Sequence, residues 1–199
     1  MGVLDKLIED VIGTDISNGE EFSMRTASGT NFDFINPKIE QVNIEDVSHH
    51  LSNLCRFNGA TNKFYSVAQH SVIVSKMVPE KFMYEGLMHD AAEAYLGDII
   101  TPFKRLLQRI SFFSIITERV ERTVAIALGT NYPEDKIVKT ADTILKSIEA
   151  KQFGVYLDYE YPEYKDVVSE HIEALNQEES KKLFLERFYE LSTLNEENR

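Results

Sequence analysis

Four polar residues on apolar segments have the types and spacing of a metal site. His89 and Asp90 are adjacent within residues 87–94, whose sequence LMHDAAEA follows a helical pattern. Burying an imidazole beside a carboxylate is costly without a partner, and a divalent metal accepts a neutral imidazole nitrogen and a carboxylate oxygen together. His70 and Asp142 lie on two other apolar segments. The sequence therefore predicts that His70, His89, Asp90 and Asp142 converge on one metal ion.

Each predicted ligand also has an ordinary interpretation. A single histidine on an apolar helix face is more often a hydrogen-bonded core residue, and a single aspartate within a helix is more often a surface residue. The adjacency of His89 and Asp90 favours the metal site, because the same surroundings must satisfy both groups. The donor set leaves the divalent ion open among Co, Mn, Zn, Ni, Fe and Mg. A second Mg or Mn, held by carboxylates and substrate phosphates, is an open alternative.

Helical periodicity indicates which elements must position the ligands. We expect Asn43 or Asp46 to cap a first helix and Ser66 to begin a second helix that carries His70, while residues 98–103 form a tight connection. Further helices are predicted over residues 81–96, 115–128, 133–156 and 180–191. Three helices of a bundle can direct two imidazoles and two carboxylates into one core.

The start of the chain has a different pattern from the rest. Residues 3–12 have the apolar spacing of a short amphipathic helix, and residues 22–34 read as a β-hairpin with two alternating runs around a Ser-Gly turn. The overall prediction is an all-α fold with a small N-terminal β-hairpin appendage. Residues 1–42 form that appendage, and residues 43–199 form the helical core.

Composition and charge narrow the possible partners. The chain has 199 residues, enough for one domain with a sizeable core. Its formal net charge of -12 argues against a nucleic-acid duplex or an anionic membrane as the main partner. Cys55 is the single cysteine, which excludes an internal disulfide and fits a reducing compartment. No apolar run of transmembrane length and no signal peptide is evident, so we expect a cytoplasmic protein.

The order of the four predicted ligands resembles the H…HD…D signature of the HD-domain metal-dependent phosphohydrolases. The run YSVAQHS at residues 65–71 is similar to the segment around the first histidine in the bacterial 5′-deoxynucleotidase branch. The run MHDAAEAYLGDIITPFK at residues 88–104 is similar to that branch's HD-A-x-E…GD-x-x-TP-x-K pattern. The resemblance covers about residues 43–150. It implies an HD-domain helical bundle.

The resemblance assigns roles to residues that follow the HD pair. It implies that Glu93, one helical turn beyond Asp90, assists the attacking water, and that Asp98 contacts the sugar hydroxyl or the same water. Lys104 matches the family's lysine, and with Arg105 it is expected to face a phosphate. The ordinary interpretations are a solvated helix carboxylate for Glu93, a cap for Asp98 and surface residues for the two cations.

The resemblance also assigns substrate contacts before the first ligand. Arg56 is implied to bind phosphate, and Phe57 is implied to pack against the sugar where a 2′-hydroxyl would otherwise fit. The best-known relatives carry a tryptophan at the position of Phe57, so the strictness of 2′-deoxy selection is open. Core packing is the ordinary interpretation of that ring. Lys63 and Tyr65 are expected to approach the phosphates.

A hydrolase of deoxynucleotides is therefore the expected function. Compact HD proteins with this pattern resemble the dATP triphosphohydrolases of phages, which favours a triphosphohydrolase of deoxynucleoside triphosphates that releases nucleoside and triphosphate. A 5′-deoxynucleotidase acting on monophosphates and a non-catalytic nucleotide-binding protein remain open alternatives. Charge for the outer phosphates is offered by Lys63, Lys104, Arg105 and Arg109. The resemblance further implies a homo-oligomer, either dimer or hexamer, and the host cytoplasm if the chain is phage-encoded.

Overall fold

A small antiparallel hairpin begins the part of the chain that the computed structural model describes, residues 21–156 and 171–197. Strand β1 (Ser23–Arg25) pairs with β2 (Asn31–Asp33), and Gly29 in the turn has a φ of 87°, which favours glycine. The predicted hairpin is confirmed. The predicted helix over residues 3–12 lies outside the described residues.

The hairpin contributes to the main core of the protein. Phe32 is fully buried, and its ring stacks on that of Tyr95 with 4.0 Å between the centroids. The two carboxylate oxygens of Asp46 accept hydrogen bonds from the backbone and the hydroxyl of Ser28, each at 2.7 Å. His50 Nδ1 donates to a backbone carbonyl beside Tyr95 at 2.7 Å. These contacts attach the turn and the second strand to the helical segments that carry Asp46 and Tyr95.

Replacing Phe32 by alanine tests the attachment of the hairpin to the core. We expect Phe32→Ala to lower the free energy of unfolding by about 3–5 kcal/mol, because it removes a fully buried aromatic side chain. Ile39 is 47% exposed, so Ile39→Ala serves as a control with an expected change of about 0.5 kcal/mol or less. Urea denaturation measures the free energy of unfolding of both variants. Equal midpoints for Phe32→Ala and the wild type would contradict the assignment of Phe32 to the core.

The remainder of the described chain is mostly helical. In chain order the α-helices are α1 (Ile44–Asn53), α2 (Val67–Met77), α3 (Met83–Met88), α4 (Glu93–Leu96), α5 (Thr101–Leu107), α6 (Ser111–Leu128), α7 (Lys136–Gln152) and α8 (Gln177–Glu197). Short 3-10 turns lie at Ile39–Gln41, Arg56–Gly59 and Glu80–Phe82. The prediction of a mainly helical fold with a small two-stranded sheet is confirmed. None of the helices in the described ranges is both long enough and apolar enough for a bilayer span.

Polar side chains begin the helices as the sequence predicts. The side chain of Asn43 accepts from the backbone N–H of Asp46 at 2.8 Å, so Asn43 is the cap of α1. The hydroxyl of Ser66 accepts from the backbone N–H of Gln69 at 3.1 Å and caps α2. The helix that carries His70 therefore starts where the sequence places it.

The single helix predicted over residues 81–96 is wrong, because the chain leaves α-helical winding at the HD pair. Helix α3 ends at Met88 and α4 begins at Glu93. Between them, backbone hydrogen bonds of the i→i−3 type replace the α-helical ones. The imidazole Nδ1 of His89 donates to the carbonyl of Gly86 at 2.8 Å, and thereby takes an acceptor that a continuous helix would use.

Other boundaries also differ from the predictions. The expected tight connection at residues 98–103 instead contains the start of α5, with Pro102 in the first turn, where proline is tolerated. Helix α6 starts four residues before the predicted position and ends as predicted at Gly129, which has a φ of 70°. Helix α7 is shorter than predicted, and α8 is longer.

The core is formed mainly by α1, α2, α3 and α8. Val67, Leu87 and Phe184 are fully buried at their contacts. Helices α2 and α3 approach each other closely, since a Cβ added at Gly86 would lie 3.1 Å from the Cα of Ser75. This close approach places the helix that carries His70 next to the chain segment that carries the HD pair.

Candidate metal centre

Three side chains from two neighbouring segments converge on one point. The ligand atoms of His70, on α2, and of His89 and Asp90, after α3, all lie within 4.8 Å of one another. His89 Nε2 lies 3.1 Å from Asp90 Oδ2, and His70 Nε2 lies 3.7 Å from the same oxygen. Ligands bound at about 2.1 Å to one ion are about 3 to 4 Å apart. The group can therefore hold a metal ion.

The hydrogen bonds of the two imidazoles direct both lone pairs at that point. His89 Nδ1 donates to the carbonyl of Gly86, and His70 Nδ1 donates to Glu149 Oε1, each at 2.8 Å. These acceptors place a proton on Nδ1 and leave Nε2 as the metal-binding nitrogen. Both Nε2 atoms and Asp90 Oδ2 are buried, and apart from the short contacts among the four residues of this group they have no hydrogen-bond partner in the described part of the chain. A cation would satisfy all three atoms.

Asp142 on α7 lies at the edge of this group. Its Oδ1 is 3.1 Å from His70 Nε2 and 4.0 Å from His89 Nε2. Its side chain is 31% exposed, whereas both imidazoles are buried. The structure thus brings all four residues that the sequence singles out to one place, with the aspartate of α7 on the more open side.

The electrostatics of the group favour positive charge at its centre. Burial disfavours a charged imidazole, but the adjacent carboxylate of Asp90 raises the pKa of His89 to about 10. Burial likewise favours a neutral Asp90, but His89 and His70 hold its pKa well below the usual range. A metal ion would replace protons here, so the affinity for metal must decrease as the pH decreases.

Arg56 lies directly beside the candidate ligands. Its guanidinium is 3.3 Å from Glu149 Oε2, 3.8 Å from Asp90 Oδ2 and 3.9 Å from Asp142 Oδ1. Burial disfavours its charge, but these three carboxylates keep its pKa above the ordinary value. The Arg56 side chain also lines a cavity that adjoins the candidate ligands. It can therefore offer hydrogen-bond donors to an anion that enters there.

Phe57 reaches the same cavity from a strained turn. Phe57 and Asn58 have φ values of 54° and 53°, a left-handed conformation that is unfavourable for a bulky side chain. The Arg56 guanidinium carbon lies 5.4 Å from the centre of the Phe57 ring. The turn thus presents a cation and an aromatic face side by side in the cavity wall.

Two further carboxyl groups lie close to the HD pair. Glu93 begins α4, and its Oε2 is shielded from solvent without a hydrogen-bond partner. Burial, with the nearby charges of Asp90 and Asp98, raises the pKa of Glu93 well above its ordinary value. Burial also raises the pKa of Asp98. A cavity-lining carboxyl group with a raised pKa is suited to holding and releasing a proton.

The cavity above the metal group has a volume of about 920 Å³. This lies within the range of small-molecule sites. Four basic side chains besides Arg56 line it: Lys104, Arg105, Lys139 and Lys146. Lys146 Nζ donates to Thr101 Oγ1 at 2.9 Å, and Lys104 pairs with Glu121 at 3.6 Å. Cations from both α5 and α7 thus line the cavity.

Comparison with known proteins identifies relatives that match most of the chain. No protein-family model matches. The chain is 34% identical over 174 residues to the uncharacterized protein YfdR of Escherichia coli K12, covering 86% of this chain and 96% of that protein. The chain belongs to the YfdR family. An uncharacterized protein of Rhodobacter capsulatus is 31% identical over 147 residues, covering 68% of this chain and 75% of the relative.

The structure does not bring two of the predicted substrate contacts, Tyr65 and Lys63, to the cavity of this YfdR-family protein. Tyr65 is fully buried, and its hydroxyl donates to Glu149 Oε1 at 2.6 Å, so it faces away from the cavity. Lys63 is exposed and lies outside the cavity wall, as does Arg109. In the core, the Tyr65 ring stacks on that of Phe153.

Sequence reasoning also missed three residues of this YfdR-family site. Lys139 and Lys146 line the cavity, and Glu149 accepts a hydrogen bond from His70 Nδ1 on the side of the ring away from the ligand atoms. With Asp142 they occupy positions separated by three, four and three residues on α7, which places all four on one helix face. Following that spacing outward from the predicted ligand would have found them.

Proposed function

We propose that this chain is a metal-dependent phosphohydrolase of deoxynucleotides with an HD-domain helical bundle. The observation that carries the proposal is the convergence of the buried Nε2 atoms of His70 and His89 on Asp90 Oδ2, with all three atoms within 4.8 Å of one another. The cavity of about 920 Å³ above them is lined by both acidic and basic side chains, and its basic residues support an anionic small-molecule substrate.

His70, His89 and Asp90 would hold the ion, with Asp142 as the fourth ligand. The distances of 3.1 and 4.0 Å from Asp142 Oδ1 to the two imidazole nitrogens support this set. The chemistry that a bound divalent ion supplies at such a site is polarisation of a phosphoryl oxygen and a lowered pKa for water. The mixed nitrogen and oxygen ligands suit Mn, Co, Fe, Ni or Zn.

Glu93 would accept a proton, and Asp98 would contact the sugar or the attacking water. Glu93 accepts a proton from the attacking water, because its Oε2 is unpartnered and its raised pKa lets it hold that proton. Asp98 lines the same cavity and accepts from a sugar hydroxyl or from the water. An unpaired carboxyl group shielded from solvent has no use in a pure binding protein. This disfavours the non-catalytic alternative.

The phosphates would contact the basic side chains of the cavity. Arg56 donates to the phosphate nearest the metal, and Phe57 packs against the sugar. Lys139 and Lys146 lie on either side of Asp142 along α7, so positive charge continues beyond the metal group. This extended charge favours a triphosphate over a monophosphate. Triphosphohydrolase activity on deoxynucleoside triphosphates is therefore the first choice, and monophosphatase activity is the second.

A nucleotide panel tests the proposal. Wild-type protein is incubated with deoxy- and ribonucleoside mono- and triphosphates in the presence of Mn²⁺, Co²⁺ or Mg²⁺, and the products are separated by anion exchange. Release of triphosphate and nucleoside supports the triphosphohydrolase, and orthophosphate released from monophosphates supports the nucleotidase. Absence of turnover with every nucleotide and metal would refute the phosphohydrolase.

A charge substitution on α7 tests the triphosphate assignment. We expect Lys139→Gln combined with Lys146→Gln to lower kcat/KM for the triphosphate by at least about 10-fold, because each lost hydrogen bond to a charged group costs about 1.5 kcal/mol or more. Lys136→Gln combined with Lys151→Gln is the matched control, because both residues are exposed on the same helix outside the cavity wall. Steady-state kinetics measure kcat/KM for the triphosphate, and equal values for the two double variants would contradict the assignment.

A further inference from the structure

Glu149 is a fully buried carboxylate that contacts neither the cavity nor a substrate position. It lies on α7, and donors from three separate segments reach it. Tyr65 Oη donates to Oε1 at 2.6 Å, His70 Nδ1 donates to the same oxygen at 2.8 Å, and Arg56 Nη2 donates to Oε2 at 3.3 Å. The carboxylate is therefore held as a fixed acceptor behind the metal group.

His70 lies between two carboxylates of one helix. Asp142 and Glu149 are seven residues apart on α7 and so share a face. Asp142 Oδ1 is 3.1 Å from His70 Nε2, and Glu149 Oε1 is 2.8 Å from His70 Nδ1. Because an ionised carboxylate accepts but does not donate, Glu149 requires the proton on Nδ1. The Nε2 lone pair is then free to face the ion.

The same carboxylate holds Arg56 beside the ligands. The guanidinium is nearer to Glu149, at 3.3 Å, than to Asp90 or Asp142, at 3.8 and 3.9 Å. A guanidinium without this anchor would be drawn onto the two aspartates, whose oxygens must face the ion. Glu149 thus keeps Arg56 in the cavity wall and leaves the ligand oxygens available.

We propose that Glu149 is a positioning residue of the metal centre, which fixes the Nδ1-protonated form of His70 and anchors Arg56 next to it. The inference rests on the metal-binding part of the proposed function and makes no assumption about the nucleotide. Carboxylates behind metal-ligating histidines contribute about 10–100-fold to metal affinity. We expect a loss of that size when Glu149 is replaced.

Co²⁺ binding to two variants separates positioning from core stability. Glu149→Gln is expected to weaken Co²⁺ binding by about 10–100-fold and to change the visible absorption of the bound ion. Tyr65→Phe is the matched control, since it removes one hydrogen bond to the same carboxylate oxygen and leaves the contacts of His70 and Arg56 in place. Unchanged affinity and spectrum in folded Glu149→Gln, or equal weakening in both variants, would overturn the proposal.

A measurement on the wild-type protein does not depend on whether a variant folds. Long-range ¹H–¹⁵N NMR of the Zn²⁺-loaded protein is expected to show the proton of His70 on Nδ1 and the metal on Nε2. The opposite tautomer would overturn the role of Glu149. Zn²⁺ binding with the expected tautomer, but without turnover of any nucleotide in the presence of Mn²⁺, Co²⁺, Mg²⁺ or Zn²⁺, would refute the phosphohydrolase and leave the positioning role supported.

Discussion

Asp90→Asn is expected to abolish stable metal binding and to lower nucleotide turnover by about 1,000-fold. An amide is a weaker metal ligand than a carboxylate, and it cannot balance the charges of an ion and of Arg56, whose guanidinium lies 3.8 Å away. Loss of several kcal/mol of transition-state stabilisation corresponds to this factor. Metal content after gel filtration and the rate of product release measure the two effects.

A charge-matched control distinguishes the loss of a metal ligand from the loss of one negative charge. Glu118→Gln removes the same charge from an exposed side chain that pairs with Arg122 on α6. It is expected to bind metal as the wild type does, because surface ion pairs contribute little. Wild-type metal content in Asp90→Asn would remove this residue from the ligand set.

Glu93→Gln is expected to keep the metal and lose turnover by about 100- to 10,000-fold, the usual contribution of a general base. The amide has nearly the same shape but cannot accept the proton of the attacking water. Metal affinity is expected to stay close to that of the wild type, because the proposed ligands are unchanged. Unchanged turnover would remove Glu93 from the mechanism, and loss of metal would make it a ligand.

The stability of the same variant provides an independent check. Burial raises the pKa of Glu93 in the folded protein above its unfolded value, so this group destabilises the metal-free protein as the pH rises above about 4.5. Metal-free Glu93→Gln is therefore expected to have a higher Tm than the wild type at pH 7 and a similar Tm near pH 4. A lower Tm at pH 7 would contradict the burial of this carboxyl group.

The ligand residues could be predicted because each breaks an apolar pattern. His70 and the HD pair stand out as polar groups on helices that are otherwise apolar, and the structure brings them within 4.8 Å of one another. Lys146 and Glu149 give no such signal, because lysine and glutamate on an amphipathic helix ordinarily face solvent. Only their spacing from Asp142 shows that they belong to the buried face.

The break in the helix at the HD pair could not be predicted from periodicity. A turn with i→i−3 hydrogen bonds preserves the apolar spacing over so few residues, so residues 81–96 still read as one helix. The cause is the hydrogen bond from the His89 imidazole to the Gly86 carbonyl, which depends on tertiary packing. The direction of Tyr65 is likewise decided by a distant residue, Glu149, 84 positions along the chain.

The arrangement of elements explains how a site of this kind is held. His70 lies within a buried helix, and His89 donates to the carbonyl of Gly86, where α2 and α3 are in close contact. Asp142 comes from a third helix, α7, whose next two turns carry a cavity lysine and the buried Glu149. Sites built on packed helices keep their geometry better than sites on loops.

The central claim is that phosphohydrolysis depends on an ion held by His70, His89 and Asp90. It is tested most directly by removing all metal with a chelator and titrating Mn²⁺ back while measuring bound ion and the hydrolysis of dATP and dAMP. We predict no turnover in the metal-free protein and activity that rises in proportion to the bound ion. Turnover by the metal-free protein at the rate of the Mn²⁺-loaded protein, or bound Mn²⁺ with neither nucleotide hydrolysed, would contradict it.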